Sequence, residues 1–217
     1  MEEKLMIDST RVKLLNGIEK DIPYLNEYLW NKILPCKDDK NYLDFKSEYD
    51  IVLIFTVVYL DFLVCFKNLL SSQLFWENAV AFKNICKIIH ESHSKISGKV
   101  FFQKKTELVD YKKTEGFERD SLWFGKISTI INDDNKSDYF RISKLLYEFK
   151  GNRKSLKYIN KIRDFDGHYS NLDDYMSEIK SIDMDTIFKI ANDWFVIMRD
   201  VYLFASDLLK NKLDVSK

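Results

Sequence analysis

The chain has 217 residues, 34 Lys+Arg against 34 Asp+Glu, 46% hydrophobic and 15% aromatic residues, yet only 6 Gly and 2 Pro. So few turn-forming residues argue against an all-β fold, and so much apolar content argues against extended disorder. The glycines are too far apart to build a phosphate-cradling loop of Rossmann or P-loop type.

What remains is an all-α fold, and hydrophobic periodicity locates its helices. Residues 8–34 open with Asp8, Ser9 and Thr10 as candidate N-caps, and Ile18, Ile22, Leu25, Leu29 and Ile33 follow at helical spacing. Pro23 is expected to kink or split this segment. Pro35 to Asn41 reads as a loop, 43–70 as a central apolar helix, and 72–93 as the next, with a polar tail from Glu91 to Gly98. Residues 95–135 mix aromatics with charges and read as an irregular helical insertion, closing on the turn Asn132-Asp133-Asp134-Asn135. Helices follow at 138–150, ended by Gly151, at 153–166, ended by Gly167, and at 184–210. The expected architecture is one domain over 1–217, a helical bundle of four to five long helices plus short ones.

The odd, sparse cysteines Cys36, Cys65 and Cys86 do not make a disulfide framework, and the opening residues lack the pattern of a secretory signal. A cytoplasmic location is therefore expected. The apolar stretch 51–66 spans only about 24 Å as a helix, against roughly 30 Å of hydrocarbon core. It also contains Asp61, so a buried bundle helix is expected rather than a membrane span, with Asp61 held in a salt bridge. A small-molecule enzyme using Asp61 in the bundle core is a weaker alternative.

Zero net charge gives no overall attraction to nucleic acid. The charge is unevenly placed, however. Nine Lys/Arg face two acids from Lys136 to Arg163, and seven acids face one lysine from Asp164 to Asp185. Solvated helix faces of opposite sign account for this, as does a basic anion-binding surface beside an acidic element.

Serine-hydrolase, P-loop, zinc-ribbon and zincin motifs are absent from the sequence. Cys86, His90 and His93 fall on one helix face with zinc-ligand chemistry, but a core cysteine beside two surface imidazoles is the simpler expectation. The pairs Asp133-Asp134, Asp173-Asp174 and Asp183-x-Asp185 read as turns and caps, and Lys104-Lys105 and Lys112-Lys113 as solvated faces. No cofactor or metal is called for.

One segment remains, Lys161-Ile162-Arg163-Asp164-Phe165-Asp166-Gly167-His168-Tyr169. Arg163 is expected near the end of a basic helix and His168 beyond the Gly167 terminator, so the chain can bring imidazole and guanidinium together. Arginine binds phosphate with a planar fork and keeps its charge as a phosphorane develops. Histidine exchanges protons near neutral pH, and Asp164 can orient either group. A bland reading has Arg163 paired to an acid and His168 in a loop.

The segment resembles the R-x(4–6)-H motif of the HEPN superfamily, with Arg163 as the Arg, Asp164 as the polar residue and His168 as the His. Some members carry a Tyr two positions after the His, whereas Tyr169 follows it directly. The resemblance implies a four- or five-helix bundle and a two-fold dimer with the motifs facing across a cleft. It also implies a metal-independent endoribonuclease of toxin–antitoxin, abortive-infection or related defence systems, acting with an antitoxin or regulatory partner. In that reading Arg163, His168, Asp164 and Tyr169 are catalytic, and Lys154, Lys157 and Lys161 hold the RNA backbone. The alternative is a non-catalytic helical interaction module in a defence or regulatory complex, docking through residues 136–185.

Overall fold

The computed structural model describes residues 2–72, 75–98, 121–163, 177 and 180–215. Among these there is no strand, and six long helices carry the fold: α1 Glu2–Tyr28, α2 Lys46–Ser71, α3 Phe75–Ser97, α4 Lys136–Gly151, α5 Arg153–Arg163 and α6 Met184–Val215.

The expected N-caps of α1 do not hold, and the helix is not split at Pro23. The helix starts at Glu2, so Asp8, Ser9 and Thr10 lie inside it and do not cap it. It also runs through Pro23 without interruption. Proline removes one N–H, but its fixed φ fits a helix, and the buried Ile18 and Leu25 hold both sides of it in the core. The irregularity comes later, as a π turn at Leu29–Ile33 and a 3-10 turn at Leu34–Asp38 that takes up the first part of the expected loop, with 39–41 remaining a bend and turn.

The central helix is α2. It packs against α1, α3 and α6. Val52, Phe55, Tyr59, Phe62, Leu63 and Phe66 are all at most 2% exposed, an inward stripe at helical spacing. Tyr59 stacks on Tyr202 with ring centroids 5.5 Å apart, and Phe66 meets Phe195 at 5.9 Å. With its preceding turn, the segment Tyr42–Ser71 is long and apolar enough by composition to cross a membrane, and half of its apolar window is buried inside the fold. Asp61 departs from expectation. It lies on the outward stripe with Val57 and Val64 and is exposed, so no buried salt bridge forms. Partial burial raises its pKa, opposed by Lys95 of α3.

The end of α2 is closed by α1. Arg11 donates from Nε to the Leu70 carbonyl at 2.5 Å, and from one terminal nitrogen to the Ser72 carbonyl at 2.8 Å and the Leu69 carbonyl at 3.4 Å. Its guanidinium also lies 5.3 Å from the centre of the Phe188 ring of α6.

The described part of the expected insertion is folded into the core. A π turn at Leu122–Lys126 leads into a 3-10 turn at Ile127–Thr129, and Trp123 and Ile127 are fully buried. Trp123 donates from Nε1 to Ser143 Oγ of α4 at 2.8 Å. Asn132 and Asn135 exchange side chain to backbone hydrogen bonds of 3.0 and 3.2 Å, forming the turn expected there. Gly151 is the last residue of α4, and Asn152 makes the junction, its Oδ1 accepting from the Ser155 backbone N–H at the start of α5. Arg141 of α4 reaches Asp200 of α6 at 2.6 Å.

Candidate functional site

The inner stripe of α5 is Leu156, Ile159 and Arg163, spaced i, i+3 and i+7. Leu156 and Ile159 are buried and Arg163 is half-buried, with the helix lying against α3. Lys154, Lys157 and Lys161 have the same spacing on the opposite side and are all exposed. The structure therefore does not bring these three lysines together with Arg163. Asp164, His168 and Tyr169 lie outside the described residues.

Arg163 meets a different histidine. One of its terminal nitrogens lies 2.5 Å from Nε2 of His90, on α3. A guanidinium has only donors, so Nε2 must accept.

His93, one turn further on, differs sharply from His90. It is 3% exposed, with ring centroids 5.6 Å from Phe149 and 5.7 Å from Trp194. Its Nε2 is buried without a hydrogen-bond partner. Burial lowers its pKa to about 4, with smaller contributions from Lys150 and His90. The expectation of two surface imidazoles is therefore wrong for His93. In the polar tail of α3, Glu91 and Lys95 are exposed while Ser92, Ile96 and Ser97 are buried, and Gly98, at φ 81°, ends the helix. Ser92 Oγ accepts from Trp194 Nε1 at 3.0 Å.

Cys86 lies in the core, where burial pushes its thiol up to about 12. Among the described residues, no group of His, Cys, Asp and Glu side chains could hold a metal ion. Asp183 behaves as the sequence suggests. Its Oδ1 accepts from the Asp185 N–H at 3.1 Å and its Oδ2 from the Thr186 hydroxyl at 2.5 Å, capping α6. These bonds, that of Thr186 first, hold its carboxyl below the usual range. The Asp183 backbone N–H donates to Tyr158 Oη at 2.6 Å, fixing the start of α6 to α5.

The sequence names His90 only as a possible zinc ligand beside Cys86 and His93, not as a partner of Arg163. The approach of His90 to Arg163 depends on α3 pairing with α5, and no spacing along the chain encodes that pairing. No family model, curated protein or solved structure matches the chain.

Proposed function

We propose that the chain is a HEPN-type, metal-independent endoribonuclease that works as a two-fold dimer in a toxin–antitoxin, abortive-infection or related defence system. The observation that supports this most is the placement of Arg163. It ends a basic helix half-buried, held by an imidazole acceptor and not extended into solvent. In this reading the ribose 2′-oxygen attacks phosphorus, the bond to the 5′-oxygen breaks, and a cyclic phosphate and a 5′-hydroxyl result. Arg163 stabilises the phosphorane charge. His168 takes the 2′-OH proton or protonates the leaving oxygen, with Asp164 and Tyr169 assisting.

The test is labelled RNA with purified protein in EDTA, beside Arg163→Ala and His168→Ala. Cleavage by the wild type, lost by at least about 100-fold in each variant, is expected for a general acid/base and a charge stabiliser. Cleavage that requires metal, or that survives both substitutions, rules the mechanism out.

The exposed Lys154, Lys157 and Lys161 stripe favours a second reading, a helical module that docks an acidic partner. Under that reading the purified protein cleaves no RNA, and replacing the three lysines abolishes partner binding.

A further inference from the structure

We propose that the cleft between the start of α2 and the turns at 122–130 binds a small zwitterion with an apolar body, namely an α-amino acid with a branched aliphatic side chain. The site does not involve Arg163 and does not depend on the nuclease reading.

The cleft has a volume of about 360 Å³. Ligand pockets run from roughly 300 to 1,000 Å³, so this one suits a single amino acid and not a polymer. One wall is a face of α2, where Ser47, Asp50 and Ile54 lie at i, i+3 and i+7. The other wall is the turn segment, which contributes Lys126 and Ile130. That segment is held from behind. Trp123 and Ile127 are fully buried, and the Ser121 carbonyl accepts from the backbone N–H groups of Gly125 and Lys126 at 3.0 and 3.2 Å. The cleft is thus formed before a ligand enters, which lowers the ordering cost of binding.

The chemistry of the lining is split. Asp50 is half-buried and Lys126 is exposed, and they bring opposite charges to one small space from opposite walls. They do not pair with each other, and neither side chain makes an ion pair or hydrogen bond with any described residue. Apolar surface comes from Ile51, which is buried, and from Ile54 and Ile130, which are half-buried. A lone cation in this cleft meets Lys126, and a lone anion meets Asp50. A neutral apolar molecule strips water from both charges and replaces it with nothing. An apolar zwitterion answers every part of the lining, its ammonium to Asp50, its carboxylate to Lys126 and its side chain to the isoleucines.

The test is isothermal titration calorimetry of the full chain with L-leucine, L-isoleucine and L-valine, beside leucinamide, N-acetyl-leucine and glycine. At least one of the three branched amino acids is expected to bind saturably. Leucinamide lacks the carboxylate, N-acetyl-leucine the ammonium and glycine the apolar body, so each should bind about tenfold more weakly or worse. Asp50→Asn should abolish the preference over N-acetyl-leucine and keep that over leucinamide. Lys126→Gln should do the reverse. A variant that merely disturbed the fold would not separate the two analogues in this way, and thermal unfolding without ligand checks that both variants fold.

No binding of any of the three amino acids overturns the site. Analogues that bind as tightly as the amino acids overturn the zwitterion, as does an order of affinities that neither substitution changes. Binding of leucinamide alone leaves a simple cation site, and binding of N-acetyl-leucine alone a simple anion site, and each of these outcomes also overturns the proposal.

Discussion

At His93 the imidazole is packed between Phe149 and Trp194, where a charge has no water to solvate it. Its folded-state pKa of about 4 lies below the ordinary 6.5, so the unfolded chain binds a proton that the folded chain refuses. Stability from this residue is complete above pH 6.5 and falls as pH drops toward 4, by about 3 kcal/mol in all. Urea unfolding at a series of pH values should show this slope in the wild type, and His93→Leu should remove that part of it. Arg11 is a second residue whose role is clear. Its three carbonyl contacts close the end of α2, so Arg11→Ala should cost about 1–3 kcal/mol, read as a lower urea midpoint. Arg11→Lys should recover little, because an ammonium cannot reproduce the planar fork.

Among the elements, the turn at Trp123 is tied to α4 by a buried polar contact. Ser143→Ala leaves the indole N–H of Trp123 without its partner and should cost about 1–3 kcal/mol by thermal or urea unfolding. Local signals were legible at this level where the chemistry is local. The Asn132–Asn135 turn and the Asp183 cap both form from residues within a few positions of each other. The same logic failed at Asp8, Ser9 and Thr10, since a capping residue inside a helix that begins upstream has nothing to cap. Asp61 was misplaced for a related reason. A nearly continuous apolar run conceals which face is inward, and the aromatic stripe from Phe55 to Phe66 decides it. The Arg163–His90 contact was not legible, because it depends on which helices become neighbours.

For the whole molecule, α2 is the common wall of the bundle, and large side chains from several helices meet on it. Phe62→Ala should therefore cost about 3–5 kcal/mol, with far-UV circular dichroism and tryptophan fluorescence moving together. Separate transitions would show that the helices around α2 do not unfold as one unit. The partition of charge also belongs to this scale. The lysines of α5 face solvent on one side, and its single inner arginine is kept against α3.

The pairing of α2 with α6 has a consequence for synthesis. Tyr59 and Phe66 emerge from the ribosome long before Phe195 and Tyr202, the rings that cover them. In that interval the most apolar helix of the chain has α1 and α3 beside it but lacks its largest contact. Nascent chains halted before α6 would expose an aromatic stripe of the kind that chaperones and targeting factors bind. The lifetime of that exposed stripe is set by the distance along the chain between α2 and α6, and so by the topology.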